Sequence, residues 1–337
     1  MRLPGDEPKF THVDHHSHRR FSHGNYVDNH VIKINIVITS TPRVILTGAQ
    51  GLVGKAVGGT LIEDGFSVFP FKSRQKGPMS MDTASGWIDK NFLEDAHAVI
   101  HLAGEPIAQR WTEASKGRIL LSRTESTAML AETLAQLRNP PKVFISISGI
   151  NRYGFHRPKE ILTEKSLVSR QGFLGEVTEA WEAATAPAKA AGIRTVHLRT
   201  GLVLAASGGA LKTMLPAFVA GLGGRIGPGT QHISWIRLGD LASLITWIVQ
   251  NDKIQGAVNA VAPHPVTQMA FAHELGRVLK RPTCIPMPTW LVSTLFGQMG
   301  KETLLADLAV MPEVALKSGF KFNSPKLDTA LAKALKE

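Results

Sequence analysis

The stretch RVILTGAQGLVG, residues 43–54, decides the fold that this chain can adopt. Its first five residues form an apolar run typical of a buried strand, and an amphipathic helix is predicted to begin at Leu52. Gly48 permits a tight turn, Gly51 lets the backbone approach a pyrophosphate, and Gly54 lets the helix pack closely on the strand. Because the helix N-terminus adds free N–H groups and the positive end of a dipole, the stretch predicts a phosphate-binding turn.

Two segments are predicted to contact a dinucleotide. In the turn, the predicted contact residues are Thr47, Gly48, Gln50, Gly51, Leu52, Val53 and Gly54. A later apolar strand, residues 98–102, ends in small residues that let the adenosine half of a cofactor lie close, which adds Leu102, Ala103 and Gly104. Ordinary strand packing would favour the same small residues in this second segment.

The end of the second strand, residues 67–71, indicates which dinucleotide binds. An Asp or Glu there would hold the ribose hydroxyls of NAD, but the chain continues as Lys72-Ser73-Arg74. Since a guanidinium suits a 2′-phosphate, Arg74 predicts NADP(H) in preference to NAD(H). A solvated cation in a surface loop is the alternative.

Short apolar runs and longer amphipathic stretches alternate up to Gly201. Strands are predicted at 43–47, 67–71, 98–102, 142–148 and 194–198, and helices at 52–64, 112–137 and 175–191. This alternation indicates a parallel sheet covered on both faces, so the predicted fold class is α/β with a doubly wound parallel sheet. Beyond Gly201 the pattern loosens, and helices are predicted at 210–220, 238–250, 267–279 and 289–296.

The composition limits the classes of protein to which the chain can belong. Of its 337 residues 43% are hydrophobic, enough for a sizeable core. The single Cys284 excludes an internal disulfide framework and favours a reducing compartment, so we expect a cytoplasmic protein in which this thiol packs as a small apolar side chain. No window approaches the roughly 18 uncharged apolar residues of a membrane helix, so no membrane partner is expected.

The formal charge of +11 belongs almost entirely to the body of the chain. Residues 1–40 hold five basic and four acidic residues, a net of +1, which leaves +10 for residues 41–337. The basic residues are dispersed and only 7% of the residues are aromatic, so no nucleic acid is expected as a partner. We expect a small-molecule substrate and a monomer or homodimer.

Residues 1–40 hold six of the thirteen histidines and show no periodicity before Val31. We expect a disordered, His-rich extension there. The cluster from His12 to His18 could chelate a divalent ion, but nothing nearby fixes a geometry, so no metal site is predicted.

Taken together, several segments resemble an atypical, epimerase-like family of the extended short-chain dehydrogenase/reductase superfamily. They are residues 47–54, 99–105 (VIHLAGE), 110–112, 122–124, 146–154 (SISGINRYG), 181–182, 199–204, 227–241 (GPGTQHISWIRLGDL), 312 and 319–322. The resemblance implies a Rossmann-type core of the NAD-dependent epimerase/dehydratase type and a smaller C-terminal substrate-capping domain of unknown function. We therefore divide the chain into the extension (1–40), an NADP-binding Rossmann domain with substrate-side segments (41–260) and a small helical domain (261–337).

Members of that superfamily usually carry a Tyr-x-x-x-Lys pair, in which the tyrosine exchanges a proton with the substrate. Counted back from Trp181-Glu182, the pair would occupy positions 174 and 178, but the residues there are Leu174 and Thr178. Neither side chain can perform this chemistry. The cofactor-binding prediction is thus stronger than any prediction of the usual acid–base route.

Two residues near the end of the fourth strand are the candidates to replace the missing pair. Ser148 matches the position of the superfamily's usual active-site serine, so we expect it to donate a hydrogen bond to a substrate or carbonyl group. Tyr153 follows the strand where the site should open. Its spacing to Arg157 imitates a Tyr-x-x-x-Lys pair, but an arginine does not give up its proton, and we interpret the spacing as coincidence.

The turn-rich loop at residues 223–231 and the segment after it suit an anionic or nucleotide-like ligand, because Gly and Pro allow close approach and guanidinium and aromatic groups bind such ligands. The candidate substrate-binding residues are Gln231, Trp235 and Arg237. Trp235 could equally belong to the core, and Asp240 could be a helix N-cap.

The leading hypothesis is an NADP(H)-binding oxidoreductase or epimerase-like enzyme that acts on an unidentified, nucleotide-sugar-like small molecule. The alternative is a non-catalytic NADP(H) sensor or regulatory protein, which the absence of the usual pair favours.

Overall fold

The computed structural model describes residues 41–337. The predicted His-rich extension and its histidine cluster lie outside the described residues. The division at residue 260 stays a prediction.

The described residues form fourteen strands and eleven helices. The strands are β1 (Arg43–Thr47), β2 (Ser67–Ser73), β3 (Ser80–Asp82), β4 (Trp87–Ile88), β5 (Ala98–His101), β6 (Val143–Gly149), β7 (His156–Leu162), β8 (Arg194–Thr200), β9 (Leu202–Leu204), β10 (His232–Ile233), β11 (Trp235–Arg237), β12 (Gly256–Ala260), β13 (Val266–Thr267) and β14 (Asp307–Val310). The helices are α1 (Leu52–Glu63), α2 (Lys90–Leu93), α3 (Glu113–Ala135), α4 (Gly172–Ala183), α5 (Ala186–Ala190), α6 (Gly209–Val219), α7 (Leu238–Gln250), α8 (Gln268–Leu279), α9 (Thr289–Glu302), α10 (Glu313–Lys317) and α11 (Leu327–Ala334).

Eight strands form the central sheet in the order β12-β8-β6-β5-β1-β2-β3-β4. β3 and β4 pair antiparallel, and the other neighbours pair parallel. From β1 the chain proceeds to β2 on one side and later returns to β5 on the other side. The carboxyl ends of β1 and β5 therefore border the crevice where ligands bind in doubly wound sheets.

The apolar run of β1 supplies both faces of the sheet, because successive side chains of a strand point to opposite sides. Val44 and Leu46 pack in a core cluster with Val57 of α1, whereas Ile45 packs in a second cluster with Leu130 of α3. Each such fully buried aliphatic side chain stabilises the fold by about 1.5–3 kcal/mol. The predicted doubly wound α/β class is confirmed.

The predicted parallel strands are all present, and β12 adds one that the sequence did not reveal. Its sequence, GAVNA, is short and only weakly apolar. The helix predicted at 175–191 is instead two helices, α4 and α5, with Pro187 in the first turn of the second. The expected packing of Cys284 is wrong, since its side chain is exposed.

Helices α6, α8 and α11 pack around Trp235 and Phe271 in a third core cluster. β14 pairs in parallel with β7. Among residues 41–337, no helix is both long and apolar enough to cross a membrane.

Candidate functional site

The turn between β1 and α1 is built so that only glycine fits at its key positions. Gly48 has a positive φ of 69°, and a Cβ there would lie 2.9 Å from the backbone nitrogen of Ala103. A Cβ on Gly54 would overlap the carbonyl oxygen of Gly48. Gly51 is the N-cap of α1 and provides no side-chain cap, so the first N–H groups of this helix lack a side-chain acceptor. The turn thus has the form and the free donors of a phosphate cradle.

A buried hydrogen-bond chain holds the two strand ends together behind this turn. The Thr47 hydroxyl accepts from the N–H groups of Leu102 and Ala103 and lies 2.7 Å from Nδ1 of His101. Since its lone pairs are used, the hydroxyl must donate its proton to Nδ1. Nε2 of His101 then carries the ring proton and donates to Ser126 Oγ, 3.0 Å away. Burial, aided by the charge of Arg123, lowers the pKa of His101 to about 4, so the ring is neutral.

Arg74 lies at the carboxyl end of β2, which is the position expected of a residue that binds a 2′-phosphate. Its Nη2 donates to Glu105 Oε2 at 3.0 Å, and Arg118 lies 3.7 Å from the other carboxylate oxygen. The hydrogen bond from Arg74 is the main reason that the pKa of Glu105 is lowered. The Arg74 side chain is 70% exposed, so an anion from solution can reach it.

Ser148 belongs to a polar cluster at the ends of β6 and β8. Its Oγ lies 3.2 Å from Oε1 of Glu182, which also accepts from Arg199 Nε at 2.8 Å. Arg199 Nη2 donates to the second carboxylate oxygen at 2.8 Å. Burial raises the pKa of Glu182, but the hydrogen bonds and charge of Arg199 outweigh it and hold this pKa below its ordinary value. Because an ionised carboxylate only accepts, Ser148 donates to Glu182 and presents its lone pairs elsewhere. The predicted donation to a substrate requires its proton to leave Glu182.

Tyr153 is fully buried rather than open to a cleft. Its hydroxyl donates to Asn259 Oδ1 at 2.8 Å and accepts from Arg199 Nη1 at 3.0 Å. Burial raises the pKa of this phenol despite the nearby Arg199. Arg157 instead binds Glu160 and the backbone oxygen of Tyr153, so its spacing to Tyr153 creates no phenol–cation pair.

Helix α4 holds the two positions of the missing Tyr-x-x-x-Lys pair. Leu174 and Thr178 are buried, and the Thr178 hydroxyl donates to the backbone oxygen of Leu174. The N-terminus of this helix receives a carboxylate from far along the chain. Glu302, 3% exposed, accepts from the N–H groups of Phe173 and Leu174 at 3.0 and 2.9 Å.

The three candidate substrate-binding residues are buried, and each donates to a protein group. Gln231 Nε2 donates to the carbonyls of Ile226 and Leu304, while its Oε1 is buried without a hydrogen-bond partner in the described part of the chain. Trp235 packs in the third core cluster and donates to the carbonyl of His264.

Arg237 is the N-cap residue of α7 and pairs with Asp240 and Glu337. Asp240 lies inside the first turn of this helix, so it is not the expected N-cap. Its carboxylate accepts from the N–H groups of Asn323 and Ser324.

Two open grooves, of about 460 and 570 Å³, lie elsewhere on the described surface. The first lies between α3 and α4, and the second lies beside α1, α7 and the segment around Phe320. Neither is lined by a predicted site residue. Within residues 41–337 no group of three or more His, Cys, Asp or Glu residues could hold a metal ion.

Sequence reasoning assigned no role to Glu302 and none to the Glu182–Arg199 pair. Arg199 follows Val196 and Leu198 in β8 and is buried, and a charged residue at a buried position signals a partner. For Glu302 the only signal is an acidic residue at the end of an apolar helix.

The matches to known protein families agree with this architecture. Residues 44–260 match the NAD dependent epimerase/dehydratase family, and residues 287–334 match a domain of unknown function (DUF1731). The epimerase family protein SDR39U1 of Mus musculus is 36% identical over 293 residues, which cover 86% of this chain and 98% of that protein.

Two solved structures are similar along most of the chain. Human epimerase family protein SDR39U1 (isoform 2) with NADPH has a TM-score of 0.78 and 32% identity, covering 87% of this chain and 99% of that one. The nucleoside-diphosphate sugar epimerase from Corynebacterium glutamicum has a TM-score of 0.72 and 31% identity, covering 88% of this chain and 58% of that one. With a family match over more than half of its length and a relative that it covers almost completely, the chain belongs to the NAD dependent epimerase/dehydratase family.

Proposed function

We propose that this protein binds NADP(H) in the crevice at the ends of β1 and β5 and uses it to oxidise, reduce or epimerise a small molecule. The observation that carries the proposal is the glycine turn, in which a Cβ at Gly48 would press on the backbone of Ala103. Only a turn this compact leaves the start of α1 open to a diphosphate. The human relative whose structure contains NADPH supports the same cofactor.

The residues present fit this cofactor. The N–H groups at the start of α1 would hold the diphosphate. Residues Leu102 to Gly104 would border the adenosine half, and Arg74 would leave Glu105 to bind the 2′-phosphate. When bound, the nicotinamide supplies or accepts a hydride. Nothing in this arrangement requires that NAD(H) be excluded. We therefore propose that the protein prefers NADP(H) but does not strictly require it.

To account for proton exchange with the substrate, we propose that Ser148 contacts it. It lies at the carboxyl end of β6, and it donates to a carboxylate that Arg199 keeps ionised. Ser148 therefore orients a substrate hydroxyl by accepting from it, and it becomes a donor when its proton turns away from Glu182. Tyr153, buried against Asn259, would act only if the cluster around it opens.

A nucleotide-sugar-like substrate is supported by the similarity to the nucleoside-diphosphate sugar epimerase from Corynebacterium glutamicum. We assign this ligand to the loop at residues 223–231, where Oε1 of Gln231 is buried without a hydrogen-bond partner among the residues that the structure describes.

The cofactor proposal is tested by titration with NADPH and NADH, followed by the fluorescence of the reduced nicotinamide. Wild type should bind NADPH more tightly than NADH. Arg74→Ala should weaken NADPH binding about tenfold or more, since a charge-assisted hydrogen bond is lost, and should change NADH binding little. Lys142→Ala, which removes one exposed charge at the amino end of β6, is the matched control. Wild type without affinity for either cofactor contradicts the proposal.

A second candidate function is a non-catalytic NADP(H) sensor, because Leu174 and Thr178 stand where the usual catalytic pair would be. Turnover of NADPH with a panel of carbonyl compounds and nucleotide sugars separates the two functions. A wild-type turnover that Ser148→Ala abolishes supports the enzyme. Tight NADPH binding without turnover of any panel member supports the sensor.

The single cysteine supports a reducing compartment, and we propose a cytoplasmic location on that ground. A monomer or homodimer stays our proposal for the oligomeric state.

A further inference from the structure

One cation beside the proposed cofactor site has no ion-pair partner among residues 41–337. Arg123, on α3, is 6% exposed. Its Nη1 donates to the backbone oxygen of Ile119, and its guanidinium lies 4.9 Å from the ring centre of Trp181. Its Nε is buried and has no hydrogen-bond partner among the described residues.

No carboxylate in the described part of the chain lies within ion-pair distance of Arg123. The carboxylate whose charge acts on Arg123 is that of Glu105, which already binds Arg74 and lies close to Arg118. Burial lowers the pKa of the Arg123 guanidinium to about 10, so the group is still charged at neutral pH. A buried cation without a paired anion costs stability. Its place beside the proposed cofactor site makes Arg123 a candidate to pair with an anion that arrives from outside.

The position of the guanidinium indicates which anion that is. A Cβ on Gly104 would lie 3.2 Å from Cζ of Arg123, so the guanidinium packs directly on this glycine. The preceding residues, Leu102 and Ala103, contact Gly48 of the cradle. Arg123 therefore flanks the segment against which the phosphate-binding turn is packed.

We propose that Arg123 supplies the buried counter-charge for the diphosphate of the bound dinucleotide. This inference rests on the proposed function, and it assigns a second arginine a task different from that of Arg74. Arg74 would recognise the 2′-phosphate that distinguishes NADP from NAD. Arg123 would recognise the diphosphate that both cofactors share.

The alternative is that Arg123 is structural, held for its packing on Trp181. The two roles predict opposite effects on the ligand-free protein. If the cation waits for an anion, Arg123→Met removes an uncompensated charge and leaves the melting temperature of the ligand-free protein unchanged or higher. If packing on Trp181 is its purpose, the same substitution lowers that melting temperature.

The test measures dissociation constants for NADPH and NADH and the melting temperature with and without NADPH. Arg123→Met should weaken both cofactors by the same factor, about tenfold or more, and should shrink the NADPH-induced rise in melting temperature. Arg123→Lys, which keeps the charge, should retain part of the affinity for both cofactors and provides the second variant if the methionine variant fails to fold. Arg138→Met, which removes an exposed arginine beyond the end of α3, should leave both affinities unchanged.

Each outcome decides a different claim. If wild type binds neither cofactor, the proposed function itself is wrong. If wild type binds NADPH but Arg123→Met binds it equally well, only the role of Arg123 is wrong. Selective loss of NADPH affinity would also overturn the inference, because it would place Arg123 at the 2′-phosphate.

Discussion

Three arginines at the carboxyl end of the sheet differ in what surrounds their guanidinium groups. Arg74 is exposed and shares one carboxylate with Arg118. Arg199 is buried in a two-point pair with Glu182, and Arg123 is buried without a carboxylate partner among the described residues. The same guanidinium group therefore has a structural role at Arg199 and, in our proposals, recognises a phosphate at Arg74 and compensates charge at Arg123.

His101 provides a residue-scale prediction about pH. Its pKa of about 4 in the folded state lies below the ordinary 6.5, so the unfolded chain binds more protons between these values. Its contribution to stability is complete above pH 6.5 and is lost as the pH falls towards 4, by roughly 3 kcal/mol. Urea unfolding at several pH values should show a shallower pH dependence for His101→Gln than for wild type. Equal slopes for the two proteins would show that this ring titrates normally.

Among the elements, the turn between β1 and α1 depends on both an unusual backbone conformation and close packing. Gly48 requires a positive φ, and Gly54 requires the absence of a side chain. These demands concern neighbouring atoms of one strand–turn–helix unit. A short stretch of sequence can therefore predict them.

Gly54→Ala and Gly59→Ala form a matched pair within α1. The first adds a methyl group that overlaps the backbone of Gly48, whereas nothing lies within 4 Å of the Cβ position at Gly59. Gly54→Ala should lower the free energy of unfolding by about 1–3 kcal/mol and weaken NADPH binding. Gly59→Ala should raise it by up to about 1 kcal/mol, because alanine is the better helix former. Thermal or urea unfolding measures the stability of each variant, and titration measures its affinity for NADPH. Equal stability and equal affinity of the two variants would contradict the packing argument.

At the scale of the whole molecule, segments distant in sequence complete one another's hydrogen bonds. Glu302, at the end of α9, accepts from two N–H groups of α4 that lie nearly 130 residues earlier in the chain. Gly172 makes room for this carboxylate, since a Cβ there would lie 2.6 Å from its carbon. The helix that lacks the usual catalytic pair is thereby joined to the C-terminal part.

Removal of this carboxylate should loosen the start of α4. Glu302→Ala leaves the buried N–H group of Leu174 and the partly buried N–H group of Phe173 without this acceptor, so the free energy of unfolding should fall by about 2 kcal/mol. Amide hydrogen exchange at Phe173 and Leu174 should accelerate. Glu176→Ala, which removes an exposed carboxylate from the same helix, should change neither quantity. Unchanged exchange at Phe173 in the Glu302 variant would show that the cap is dispensable.

The predictions from sequence succeeded where local pattern is sufficient. The bounds of β1 and of α7 agree with the structure to the residue, because apolar periodicity and turn residues are local signals. β12 escaped prediction because GAVNA has too few large apolar residues, and it becomes a strand only beside β8. Asp240 was assigned to the right helix, but the partners of its carboxylate, Asn323 and Ser324, lie more than 80 residues away.

Sequence alone was sufficient to predict the doubly wound sheet, the glycine-rich turn after β1 and the absence of the usual catalytic pair, since each depends on residues close together in the chain. Three findings needed the packed structure: Tyr153 is buried, Ser148 donates to Glu182, and no carboxylate among residues 41–337 pairs with Arg123. The physical reason is that a buried polar group must find its partner, and the partner is supplied by whichever distant segment the fold brings beside it.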